Sequence, residues 1–131
     1  MIGIDTNILL RLFARDDEAQ YQSIKSHIDT GAWNEGAIVN PIVLAEATWV
    51  LGNQWKWSKS AIEDFVSDVL ETSGFVVLQE AAVHRALADF AASKADFADC
   101  LIGRLNAAAG ARTTMTFDLD AQGLSTFSKL A

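Results

Sequence analysis

Ile2-Gly3-Ile4-Asp5-Thr6-Asn7-Ile8-Leu9-Leu10-Arg11 is the stretch from which the rest of the chain is read. Two isoleucines around a glycine make a short apolar strand, and apolar residues then recur at helical spacing, so Asp5 stands where a strand gives way to a helix. The same alternation runs outward from that junction. A strand is predicted over residues 1–5 and a helix over 7–15, with Ile8, Leu9, Leu12 and Phe13 on one stripe and Arg11 and Arg15 on the other face. A second helix over 16–27 opens on Asp16-Asp17-Glu18, an acidic turn suited to the helix dipole. Gly31 and Asn34-Glu35-Gly36 break the chain before a strand over 37–40, and Pro41 fits the first turn of a helix over 42–54. Ser58 caps a helix over 58–72, which Gly74 stops ahead of an apolar strand over 75–78. Two alanine-rich helices over 80–94 and 96–109, a strand over 113–117, and a short helix with a terminal strand in 119–131 complete the reading. Apolar strands alternating with helices call for an α/β fold in which a parallel sheet is covered on both faces.

Half of the 131 residues are hydrophobic, which suffices for one core and not for two, so a single domain over 1–131 is expected. A single proline and a 21% charged fraction leave no segment that reads as a linker or disordered tail. Residues 37–51 are the most apolar run, but Asn40, Pro41 and Glu46 interrupt it, which excludes a membrane span there. Asp5 and Arg11 likewise break any export signal, and a cytoplasmic protein is expected. The net charge of −7 argues against a broad basic face for nucleic acid. The lone Cys100 has no disulfide partner and, beside Asp99, reads as small core filler rather than a nucleophile.

Acidic residues recur at corresponding places. Asp5 ends the first strand, Glu46 interrupts an apolar stripe of Ile42, Val43, Trp49 and Val50, Asp96 and Asp99 open a helix, and Asp118 follows Thr113-Thr114-Met115-Thr116-Phe117. In parallel sheets ligands bind beyond the carboxyl ends of the strands, where Asp5 and Asp118 fall. Acids gathered without a neutralising base either bind divalent cations or titrate upward, and oxygen-only ligation favours Mg²⁺ or Mn²⁺. Each acid also has a purely structural reading. Asp5 and Asp96 suit helix N-caps, Asp99 a first-turn acid, Glu46 a salt bridge to Arg11 or Arg104, and Asp118 with Asp120 an ordinary turn.

Other chemistries find no support. His27 and His84 lack a second ligand at helical spacing, there is no Gly-rich phosphate loop, and no serine sits in a nucleophile elbow. Trp49 reads as core, whereas Trp55 and Trp57, flanking Lys56 at a helix junction, read as an exposed aromatic patch.

Taken together, Ile4-Asp5-Thr6-Asn7-Ile8-Leu9-Leu10-Arg11, Val43-Leu44-Ala45-Glu46, Ala95-Asp96-Phe97-Ala98-Asp99-Cys100-Leu101-Ile102 and Thr116-Phe117-Asp118 resemble the PIN-domain ribonucleases, and among them the VapC toxins of toxin-antitoxin pairs. The resemblance implies a PIN-like three-layer α/β/α sandwich with a mainly parallel four- to five-stranded sheet. It places metal-binding acids on Asp5, Glu46, Asp99 and Asp118, accessory acids on Asp96 (a further ligand) and Asp120, and assisting polar groups on Thr6, Asn7 and Thr116. Cys100 and the segment 124–127 depart from the family pattern without touching the acids. The implied activity is a Mg²⁺- or Mn²⁺-dependent endoribonuclease whose products carry a 5′-phosphate and a 3′-hydroxyl, with two ions about 4 Å apart orienting the scissile phosphate and activating water. Asp5 and Asp99 are then direct or bridging ligands, Asp118 and Glu46 complete the shells, and Thr116 positions a water. The implied partners are RNA, a cognate antitoxin and a second copy in a homodimer, or a heterotetramer or larger assembly with antitoxin. Arg11 and Arg15 are candidate contacts to RNA or antitoxin.

Two rival readings follow from the same acids. Asp5 as the nucleophile of a phosphatase or phosphotransferase wants a second aspartate two residues later, where Asn7 stands. A non-catalytic interaction module would retain the acidic hollow without binding metal.

Overall fold

The computed structural model describes residues 1–130, so the last position of the predicted domain, Ala131, lies outside the described residues. Its elements run β1 (Ile2–Gly3), α1 (Thr6–Ala14), α2 (Glu18–Asp29), β2 (Ala37–Val39), α3 (Pro41–Trp49), α4 (Lys59–Glu71), β3 (Phe75–Val77), α5 (Glu80–Ala92), α6 (Phe97–Ala108), β4 (Thr114–Thr116) and β5 (Phe127–Lys129). A π-helical turn, Val50–Gln54, extends α3, and a 3₁₀ turn, Ala121–Gly123, precedes β5.

Side-chain caps start most of these helices, at Ser58 and Asp96 as the sequence predicts and also at Asp17 and Asn40. Asp17, Asn40, Ser58 and Asp96 accept from the free amides of Gln20, Ile42, Ala61 and Asp99, and Pro41 occupies the first turn of α3. Arg15 ends α1 in the left-handed region, a non-glycine conformation held by its amide bond to the Arg11 carbonyl.

Every strand pairing is parallel, as expected for β1, β2 and β3, which helices separate. The backbone bonds divide the five strands into two sheets. β2 lies between β1 and β3, pairing Ile2 with Ala37 and Val39 with Val77, while β4 pairs with β5 from Thr114–Phe127 to Thr116–Lys129. Helices surround these strands in the α/β three-layer arrangement, with α3 packing on α1 and α6 and α5 packing on α4 and α6.

The core contains Leu9, Val39, Leu44, Leu51, Val66, Val83 and Cys100, all fully buried. Phe90 and Phe97 meet edge-to-face at 6.0 Å between α5 and α6. On α1 the deepest residues are Leu9 and Leu10, with Ile8, Leu12 and Phe13 half-buried, because this helix packs against both α2 and α3 and so buries a different arc from the predicted stripe. No helix among the described residues is long and apolar enough to cross a membrane.

Candidate active site

α3 is apolar nearly all round, and the structure decides which side of it faces inward. Val43, Leu44, Ala47 and Thr48 are buried, whereas Ile42, Glu46 and Trp49, at spacings of four and three, form one outward strip. Glu46 does point where Ile42 and Trp49 point, but that direction is solvent. The expectation of a carboxylate in a buried stripe, and of Trp49 as core, is therefore corrected: Ile42 is 68% and Trp49 53% exposed. The tryptophans exchange roles, since Trp55 and Trp57, expected as an exposed patch, pack half-buried against the core.

Glu46 and Trp49 of this strip line a cleft of about 600 Å³ with Asp5, Thr6, Asn7, Ala45, Val50 and Ala98. Thr6 ties its walls together, donating its hydroxyl to Glu46 Oε1 at 2.9 Å from the first turn of α1. Asp5 caps that helix as the structural reading had it, Oδ1 accepting from the Ile8 amide at 3.0 Å. Such a cap engages one carboxylate oxygen, and a carboxylate can accept further bonds.

Asp96, Asp99 and Asp118 form a second group. Asp96 Oδ1 accepts from the Asp99 amide at 2.8 Å, and Asp118 Oδ1 accepts from Ala121 at 2.8 Å while its own amide donates to Thr116 Oγ1 at 2.9 Å. Burial, the charges of Asp96 and Asp118, and a hydrogen bond with Asp96 hold the Asp99 carboxyl above the usual carboxylate range. That repulsion ties the α6 acids electrostatically to the acid after β4. Ala98, next to Asp99 on α6, reaches the cleft that holds Asp5 and Glu46. Asp120 begins the 3₁₀ turn and is exposed.

None of the four principal acids has a cationic partner among the described residues. The bases proposed as neutralisers for Glu46 are engaged elsewhere: Arg104 makes a forked bond to Asp89 at 2.6 and 2.8 Å, and Arg11 holds Gln20 at 2.7 Å and Asp16 at 3.3 Å. Arg15 forks onto Glu18, stacks on Tyr21 at 3.9 Å, and with Gln22 brings the Glu18 carboxyl down to about 2. Arg11 also borders a depression of about 280 Å³ that it shares with Asp5, Asn7 and Gln20, whereas Arg15 lines neither this nor the cleft. An unneutralised, oxygen-only donor set has the chemistry that hard divalent cations take. Among the described residues, however, no three acids converge as a ready ligand cluster, and ligation by Asp5, Glu46, Asp96, Asp99 and Asp118 in one shell is not seen.

Sequence reasoning missed Trp49 as a lining residue. The usable signal was present in the Ile42-Glu46-Trp49 spacing, which puts the tryptophan on the arc of the carboxylate. A separate apolar groove of about 410 Å³, lined by Leu12, Phe13, Tyr21, Ile28, Trp33 and others, shares no residue with the cleft.

No curated protein and no solved structure gives a significant match to the chain. A family model described as PIN domain matches residues 2–125, from the first residue of β1 to beyond the 3₁₀ turn, and takes in every acid of the site. With that much of its length matched, the chain belongs to the PIN-domain family.

Proposed function

We propose that this protein is a Mg²⁺- or Mn²⁺-dependent endoribonuclease acting as the toxin of a toxin-antitoxin pair. PIN domains are generally nucleases, hydrolases that typically use divalent metals. The observation that carries the reading is the absence, among the described residues, of any salt-bridge partner for Asp5, Glu46, Asp99 and Asp118, while the nearby arginines pair with other acids. Asp5, Asp99 and Asp118 would hold the ions, with Glu46 and Asp96 completing the shells directly or through water. When bound, such ions supply Lewis acidity at the phosphate and an activated water, giving 5′-phosphate and 3′-hydroxyl ends.

The chain's own groups set the scene for that chemistry. Thr6 orients Glu46 by its hydroxyl bond, and Asp96 supports Asp99 through the α6 cap. Thr116 fixes the turn that carries Asp118 and is the candidate to position a water. Asn7 and Asp120 are accessory polar groups, and Arg11, beside Asp5, is a stronger candidate than Arg15 for contact with RNA or antitoxin. The antitoxin would inhibit by laying a segment over the acidic cleft of a homodimer, in a heterotetramer or larger assembly.

Purified Asp5→Asn protein tests the reading. It is expected to retain the fold, because asparagine can still accept from the Ile8 amide, and to lose RNA cleavage and growth arrest. Undiminished cleavage would end the proposal. Trapping a phosphorylated Asp5 would instead establish the phosphotransferase, and calorimetry without Mn²⁺ binding at millimolar concentration would favour the interaction module.

A further inference from the structure

Trp49 stands on the rim of the acidic cleft with its indole half exposed, on the same outward strip of α3 as Glu46 and in one hollow with Asp5, Thr6 and Asn7. It also borders a smaller hollow of about 100 Å³ lined by Thr48, Gly52, Asn53 and Phe97. The π-helical turn that begins at Val50 holds it there: the Trp55 amide bonds back to the Val50 carbonyl at 3.1 Å, and Asn53 Nδ2 donates to the Trp49 carbonyl at 3.2 Å. Such turns often mark functional positions.

A nuclease of this charge has a specific difficulty. Its net charge is −7, the residues that line the cleft include Asp5 and Glu46 but no lysine or arginine, and Arg11 beside Asp5 is held by Asp16 and Gln20, so the cleft itself offers no positive groove of the kind that usually tracks a phosphate backbone. Divalent ions relieve this only at the phosphate they touch. Within the cleft, affinity for a strand can come from base stacking, which needs a π-face rather than a positive charge and contributes roughly 5- to 150-fold per base.

We propose that Trp49 is a stacking platform for an unpaired nucleobase of the RNA strand that enters the cleft. The inference rests on the nuclease reading. A base inside a duplex has both faces covered by its neighbours and cannot use the platform.

Fluorescence anisotropy with the full chain separates the possibilities. In the Asp5→Asn background, which prevents cleavage, an unstructured single-stranded RNA and its fully paired duplex are titrated against Trp49, Trp49→Ala and Trp49→Phe proteins of verified fold. Trp49→Ala is expected to weaken single-strand binding by about 5- to 150-fold and Trp49→Phe by far less, with duplex binding unchanged. With Asp5 restored, Trp49→Ala should raise KM more than it lowers kcat. Unchanged single-strand affinity in Trp49→Ala overturns the inference while leaving the nuclease reading intact. So does equal loss on duplex, or a change confined to self-association in sedimentation. Trp49-dependent binding without cleavage by the unmodified protein supports the platform and ends the nuclease reading, whereas no single-strand binding by that protein ends both.

Discussion

Burial and the charges of Asp96 and Asp118 hold the Asp99 carboxyl above its usual range, so in the absence of metal this side chain opposes folding once it ionises. The folded state keeps its proton to higher pH than the unfolded chain does. The resulting destabilisation is fully present above the raised folded pKa and is relieved as pH falls from that value toward the unfolded one. Asp99→Asn removes the charge, and we expect it to raise the Tm in chelator at neutral pH, the gain shrinking as pH falls through that window. A Tm series against pH for both proteins checks this, and a lower Tm for the variant at neutral pH would contradict it. Cys100 illustrates burial acting on a neighbour. Fully buried on α6, its thiol is pushed up to about 11, chiefly by desolvation and then by Asp89. Thiol reagents at pH 8 should leave it unmodified in the native protein and label it on denaturation; fast native labelling would show the α6 interface opens readily.

Among the elements, α6 packs closely at Gly103 against Thr126 and Phe127 at the start of β5. A Cβ on Gly103 would fall inside contact distance of Thr126 Oγ1 and 2.7 Å from Phe127 Cε2, so glycine is required here by the approach of the strand and not by its own backbone. Thr126 Oγ1 is buried there without a hydrogen-bond partner among the described residues. Gly103→Ala should therefore cost about 1–3 kcal/mol in chemical denaturation, despite the better helix propensity of alanine. A stabilised variant would mean that β5 can move away. α3 shows the opposite situation, where sequence pattern is a poor guide to contact. Both of its arcs are apolar, so periodicity alone could not tell the arc that packs against α1 and α6 from the one that carries Glu46 and Trp49 into the cleft.

At the scale of the molecule, Asp5 and Glu46 share one cleft and Asp99 feels the charges of Asp96 and Asp118, and among the described residues Asp5, Glu46, Asp99 and Asp118 have no cationic partner, in a chain that is already acidic. Divalent cations should then stabilise the fold beyond simple screening. Millimolar Mg²⁺ or Mn²⁺ is expected to raise the Tm by a few degrees over NaCl at equal ionic strength, following the roughly 1.4 kcal/mol that a tenfold excess over Kd supplies. EDTA should reverse the rise, and Asp5→Asn should reduce it; equal shifts with NaCl would speak against a metal site. The order of elements, the caps at Asp5, Ser58 and Asp96, the parallel strands and the placing of Cys100 in the core were legible from local chemistry, because caps, breaks and apolar runs act over a few residues. Which arc of α3 is covered, which arginines remain to neutralise Glu46, and how five strands divide into two bonded sheets depend on partners far away along the chain. Those were decided only when α1, α3 and α6 packed together, since burial and charge pairing are properties of contacts that no single segment contains.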